Sequence, residues 1–291
     1  MRNVIVLPLV LLWSAFGAET VTRPFVGVTH THRVETAPRA VSVHVVAVDL
    51  DAPGIGFRLT GPSGGRETVR QTTLEYLRET GAQVAVNAHF FEPYPSEDSE
   101  VFLIGLAVAN GVRYSEFETP RQSYALVANA PALHIDRAGR ASIIGPGHEG
   151  ELWIAVAGSA QVVTGGVVTI PEYLDESHPG GVLQPGTYSN SKSWYAIPNA
   201  RTLVGLTSDR RTLYVLTVDK SAGSEGLTVR EAAAMLAGDY GVREALNLDG
   251  GGSTTLAMES PDGSAGAVVN APSGGVRRVG SSLAVFARRA R

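Results

Sequence analysis

The sequence predicts an α+β fold, a single β-rich domain with mixed sheets and two main helices. Three observations point there. Short apolar runs bounded by Gly, Asn and Pro outnumber helical patterns by several to one. Two segments, from Thr68 and from Thr228, join a Thr-x-x-Gln/Glu helix start to an apolar helical face. Long crossovers of the kind a doubly wound parallel sheet needs occur in only two places.

The elements follow in order. Arg2, the apolar run Val4–Phe16 and the small residues around Gly17 read as a Sec-type signal peptide over 1–18. The run is too short to span a bilayer, so the protein is expected to be exported, to the periplasm or out of the cell. Residues 19–40 are polar, contain Pro24 and Pro38, and read as a leader into a domain over 41–288. Val41–Leu50 is β-branched strand, and Ile55–Thr60 is expected to pair with it through the Asp51–Gly54 turn. A capping box at Thr68–Gln71 opens a helix to about Thr80, stopped by Gly81. Gln83–Asn87 is a short buried strand. Val101–Ala109, Tyr124–Asn129, Leu152–Ala157 and Gln161–Ile170 are further strands, and 171–200 reads as a long functional loop. Arg201–Thr207 and Thr212–Asp219 form a hairpin around Ser208–Arg211. A second capping box, Thr228–Glu231, opens the better helix, to about Tyr240. Strands over Glu244–Leu248, Thr254–Met258, Ala267–Asn270 and Ser282–Ala287 close the chain.

Composition narrows the function. The 291 residues carry a net charge of −4, with no polybasic block and no aromatic–basic interleaving, which argues against nucleic acid. No segment after the N-terminus reads as a membrane span. There is no cysteine, which excludes thiol catalysis and thiolate metal sites. His30 and His32 share a strand face and could pair on a metal, but no third ligand lies near them in sequence. A divalent cation therefore stays open, and no cofactor is assigned.

The chemistry concentrates in Leu246–Met258, LNLDGGGSTTLAM. An apolar strand delivers Asp249 to a sheet end, Gly250, Gly251 and Gly252 let backbone approach a ligand, and Ser253, Thr254 and Thr255 add hydroxyls. A phosphate loop of the Walker type is excluded, because no Lys follows the glycines. A dinucleotide fingerprint fits poorly, because a strand follows rather than a helix. No G-x-S-x-G elbow occurs, so a serine nucleophile is disfavoured.

Asn87 and Asp219 also end apolar strands. Arg201 opens the strand antiparallel to the one ending in Asp219, which places both at one edge. His89 and Phe91 lie just beyond Asn87, Thr202 follows Arg201, and Arg278 precedes the last strand. Two carboxylates with an arginine are the equipment for cleaving a glycosyl–phosphate bond, one acid protonating the leaving oxygen and the other acting as base or nucleophile.

At these residues the chain resembles the phosphodiester glycosidase family. The similarity rests on Val86–Phe91, Ala200–Gly205, Leu216–Asp219, the Gly226–Glu231 helix start, Asn247–Thr254 and the closing Arg278–Phe286 segment, in the family's order over roughly 40–288. It implies a hydrolase that removes a sugar from a phosphodiester, with Asn87, Arg201, Thr202, Asp219, Asp249, Gly250–Gly252, Ser253 and Thr254 at the site. The family often has Gly where Ala88 and Lys220 stand, and a small residue where His89 stands. Asp249, Asp219 and Arg201 are expected to be catalytic. The others, with His89, Phe91 and Arg278, are expected to bind a sugar phosphodiester or phosphorylated glycan. The alternative is a non-catalytic module that binds anionic glycans through the same cradle.

Overall fold

The computed structural model describes residues 17–117, 127, 129–171, 173–174, 182–183, 194–260, 262–263 and 265–290. Residues 1–16 of the expected signal peptide, the Tyr124–Asn129 strand except 127 and 129, and most of the 171–200 loop lie outside these residues.

The largest sheet has eight strands. Their order is Glu19–Phe25, Val28–Glu35, Val41–Asp49, Thr212–Val218, Arg201–Leu206, Glu244–Asn247, Ala160–Thr164 and Val167–Val168. A five-stranded sheet runs Ala267–Val268, Leu256–Met258, Val84–Asn87, Ser282–Phe286, Gly56–Leu59, and a second five-stranded sheet is built from strands between Ala107 and Ala157. The main core lies between these sheets. Val46, Val48, Val204, Val215 and Leu246 from the large sheet meet Val84, Val86, Leu256, Leu283 and Val285 from the sheet opposite.

Each helix covers an outer face. Helix α1, Thr73–Thr80, packs Tyr76 and Leu77 onto Ala85, Ala257 and Ala284. Helix α2, Val229–Asp239, packs Val229, Ala232, Ala233 and Leu236 onto Val43, Leu203, Leu216 and Val218. The result is helix, sheet, sheet, helix, with the α+β class as expected.

Three expectations need correction. Helix α1 starts four residues late: its box is Thr72 with Glu75, while Thr68–Val69 pairs as a strand with Glu100–Val101. Both frames satisfy the local capping rule, and strand pairing decides between them. The strand after Asp51 pairs with Ser282–Phe286 rather than with Val41–Asp49, because Val28–Glu35 and Thr212–Val218 already flank the latter. Residues 19–35, expected as a leader, form a hairpin that extends the large sheet.

Candidate active site

Period-two alternation sets the site. In Val41–Asp49, Val41, Val43 and Val45 face α2, while Ser42, His44, Val46 and Val48 face the inner layer. In Arg201–Leu206, Arg201 and Leu203 face α2, and Thr202, Val204 and Leu206 face inward. Asn87 ends an inner strand of the opposite sheet, so Thr202 and Asn87 meet across the gap at the sheet ends.

Asn87 is fully buried and uses its amide on both sides. Its Nδ2 donates to the Asp249 carbonyl at 2.6 Å, and its Oδ1 accepts from Thr202 Oγ1 at 2.8 Å and from the Thr255 N–H at 3.0 Å. Thr202 Oγ1 also lies 3.4 Å from Thr254 Oγ1. One side chain thus ties both ends of the glycine turn to both sheets. Losing it would leave several buried groups without partners.

Gly251–Ser253 forms a single 3₁₀ turn, and Gly251 takes φ +60°, a left-handed conformation that suits glycine. A Cβ at Gly250 would lie 2.9 Å from the Ala200 carbonyl and 3.2 Å from the Trp194 ring, so the turn is pressed against that indole. The turn is not a ring of free N–H groups. Those of Gly251, Ser253 and Thr254 donate to the Ala200, Gly250 and Gly251 carbonyls. What opens over the turn is space, and a cation occupies it: a Cβ at Gly252 would overlap the Arg277 guanidinium. Arg277 Nη1 donates to Ser253 Oγ at 3.3 Å, and its guanidinium stacks 4.6 Å from the Tyr94 ring centre.

Asp249 is 9% exposed. Burial pushes its carboxyl up to about 7, against the opposing pull of Ser253, Arg277 and the Gly250 N–H. Asp219 differs. Burial would raise its carboxyl too, but bonds from His44, Ser42 and the Ala271 N–H outweigh it and hold the group below the ordinary carboxylate range. Its oxygens receive Ser42 Oγ at 2.6 Å, Ala271 N at 2.8 Å and Asn270 Nδ2 at 3.1 Å, with His44 Nε2 at 3.6 Å. A 2%-exposed carboxylate with this many donors is an anchor. It reaches the turn through Asn270, whose Nδ2 also donates to the Thr254 carbonyl at 3.3 Å.

Other expected residues stand elsewhere. Arg201 shares a sheet edge with Asp219 but not a face. Its Nε donates to the Leu227 carbonyl at 3.0 Å and its Nη2 to the Trp194 carbonyl at 2.7 Å and the Ile197 carbonyl, and the guanidinium stacks 4.1 Å from the Trp194 ring centre. Nη1 is buried without a partner. Burial lowers the group to about 9. Arg201 therefore braces the wall of the glycine turn rather than reaching into it.

His89 is fully buried behind Asn87. Its Nδ1 lies 2.8 Å from Ser281 Oγ, and its Nε2 lies 3.0 Å from the Leu106 carbonyl and accepts from the Ala157 N–H at 3.1 Å, so both ring nitrogens are engaged. Phe91 is a core side chain beside Val101 and Val279. Arg278 is exposed and paired with Glu75 at 2.7 Å. His30 and His32 do share a face, but their rings lie parallel to His44, at 5.3 and 4.1 Å between centres, in a hydrogen-bonded stack leading to Asp219. Among the described residues no group of three or more His, Asp or Glu could hold a metal.

Sequence reasoning placed Asn87, Thr202, Asp249 and the turn together. It preferred Arg278 to Arg277, and it missed Ser42, His44 and Asn270, which carry no motif. Adjacent Arg residues at a loop end were the only available signal.

His89 gives one expected result. Burial lowers its ring to about 4, so the stability it supports is present above its ordinary value of 6.5 and is lost as pH falls through about 4. In an Asp249→Asn background, denaturant unfolding should show roughly 2–3 kcal/mol more stability lost between pH 7 and about 4.5 with His89 than with His89→Gln. Equal losses would mean that the ring is not held neutral.

No curated protein sequence matches the chain. Among solved structures, the catalytic domain of zebrafish N-acetylglucosamine-1-phosphodiester α-N-acetylglucosaminidase, auto-inhibited by its pro-peptide, superposes with a TM-score of 0.62 at 19% identity, covering 95% of this chain and 85% of that one. A Synechocystis protein superposes with a TM-score of 0.56 at 14% identity, covering 90% of this chain and only 62% of that one. At these identities the likeness is one of fold. The family model for phosphodiester glycosidases matches residues 80–286, a span that holds the Asn87–Thr202–Asp249 junction, the glycine turn and Arg277, and the chain belongs to that family.

Proposed function

We propose that the protein is an exported hydrolase that cleaves the glycosyl–phosphate bond of a sugar phosphodiester and releases a sugar and a phosphomonoester. The observation that carries this reading is Asp249: a buried acid whose carboxyl sits near 7, beside Ser253 and Arg277 over a turn without side chains. A group poised near neutral pH suits proton transfer.

In this reading Arg277 and the Ser253 hydroxyl hold the phosphate oxygens. Asp249 gives its proton to the bridging oxygen as the bond to the anomeric carbon breaks. Water adds to that carbon, its hydroxyl stays with the sugar, and its remaining proton returns to the carboxylate. Asp219, Asn270, Asn87 and Thr202 hold the turn rigid and do not touch the reacting atoms. Export rests on the N-terminal apolar run, and envelope or extracellular glycans are the matching substrate class. Among the described residues no helix is long and apolar enough to cross a membrane.

The direct test is incubation of the purified protein with UDP-N-acetylglucosamine and with an aryl sugar phosphodiester, assaying free sugar. Tight glycan-phosphate binding with no sugar released would favour the non-catalytic module instead. Gly252→Ala tests the role of Arg277 without removing it. The new methyl displaces only the end of a flexible side chain, so the melting temperature should stay within a few degrees, while KM rises about tenfold, equivalent to losing one charge-assisted bond of about 1.4 kcal/mol. An unchanged KM would remove Arg277 from the phosphate.

A further inference from the structure

Next to the glycine turn, on the far side of Arg277, lies a cavity of about 620 Å³ bounded by Arg70, Tyr94, Glu97, Asp98, Arg277 and Arg278. Its charges are unevenly matched. Arg66 holds Asp98 at 2.9 Å, and Glu75 holds Arg278 at 2.7 Å. Among the described residues Arg277 has no ion pair; it donates to Ser253, lies over the face of Tyr94 and acts at longer range on Asp249. Arg70 is the unusual member. It is nine-tenths buried, it lies over the Phe91 ring at 5.1 Å, its Nη2 donates to the Pro93 carbonyl, and its Nε is buried with no partner. Asp98 and Glu97, on the same cavity wall, attract this guanidinium without an ion pair to it, so its charge is only partly compensated.

We infer that this cavity is a second anion subsite, which takes a further phosphate or phosphate-like group on the leaving side of the substrate, so that glycosyl diphosphates are preferred to phosphodiesters with an uncharged aglycone. The inference rests on the proposed activity for its orientation. Arg277 borders both the turn and the cavity, so an anion one bond past the scissile phosphate arrives between Arg277 and Arg70. The Arg70 Nε is shielded and its Nη2 holds the Pro93 carbonyl, so the group offers the cavity the rest of its guanidinium edge as a cation for a phosphate oxygen.

Two measurements test it. The first compares kcat/KM for UDP-N-acetylglucosamine and for an aryl N-acetylglucosamine phosphodiester. The wild type should favour the diphosphate. Arg70→Met should lose about tenfold on the diphosphate and stay within twofold on the aryl substrate. Because Arg70 is buried, Ser99→Asp serves as the second variant: it sets a carboxylate on the exposed cavity wall and should give the same selective loss in a normally folded protein. The second measurement is titration of inorganic pyrophosphate into the Asp249→Asn protein, with and without Ser99→Asp. Pyrophosphate should bind more tightly than phosphate, and Ser99→Asp should erase the difference. If pyrophosphate binding depends on the cavity while neither substrate is cleaved, the subsite stands and the activity falls. Sugar release with equal losses on both substrates, or pyrophosphate binding that ignores Ser99→Asp, overturns the subsite and leaves the activity untouched.

Discussion

Asp249→Asn is expected to lower kcat/KM for sugar release by about a thousandfold, the scale of losing a positioned proton donor. The replacement is nearly isosteric, and the Asp249 main-chain carbonyl that Asn87 grips is unchanged, so the turn keeps its shape. The same variant should be more stable than the wild type at mildly alkaline pH. A carboxyl held at about 7 when folded and near 3.8 when unfolded contributes stability that is complete below 3.8 and lost as pH rises through about 7. Removing the charge should therefore recover up to about 4 kcal/mol above pH 8. Loss of activity joined to a gain in stability separates a functional acid from a structural one. The wild-type rate should decline roughly tenfold per pH unit above about 7, and the residual rate of the variant should not follow that slope. A variant that keeps more than a tenth of the activity, or that is less stable at every pH, would remove Asp249 from the chemistry.

The legible parts of this fold and site share one property: their signal is local and periodic. The hairpin Arg201–Leu206 with Thr212–Val218 follows from two β-branched runs around a polar turn, and α2 follows from a capping box with no competitor. Asn87 and Asp249 each end an apolar strand, and strands of a layered domain end together, so their meeting was readable from sequence. The N-terminal hairpin was not. The strand THTHR within Val28–Glu35 is polar on both faces and shows no apolar alternation; it is accepted into the sheet because His30 and His32 stack on His44. Asp219 was placed correctly along its strand, but its expected catalytic role took no account of the donors around it. Sequence shows where a carboxylate sits but not that Ser42, His44, Asn270 and Ala271, from two other segments, occupy its oxygens. The choice of Arg278 over Arg277 failed in the same way. Neighbouring side chains leave the backbone in different directions, and pairing of Arg278 with Thr72 decides which of the two reaches the turn.

Arg201 makes the strongest stability case in the molecule, and the outcome there discriminates between two uses of the same residue. A phosphate-binding arginine, once removed, raises KM in a protein that melts normally. A brace, once removed, lowers the melting temperature and affects activity only through the wall it supports. The guanidinium is fully buried and donates to the Leu227, Trp194 and Ile197 carbonyls. Arg201→Met fills part of the volume and supplies none of those donors. Each hydrogen bond from a charged donor is worth about 1.5–3 kcal/mol, and the relief of a buried charge returns part of the sum. The expected net loss is about 4 kcal/mol, which in a domain of this size lowers the melting temperature by roughly 10 °C. Corrected for the folded fraction, kcat/KM should fall by no more than about tenfold, because Trp194, against which Gly250 packs, loses its backing while Asp249 and Arg277 keep theirs. Calorimetry together with saturation kinetics reads both quantities. A normal melting temperature with a hundredfold rise in KM would return Arg201 to the substrate and require its buried Nη1 to face the phosphate in the working enzyme.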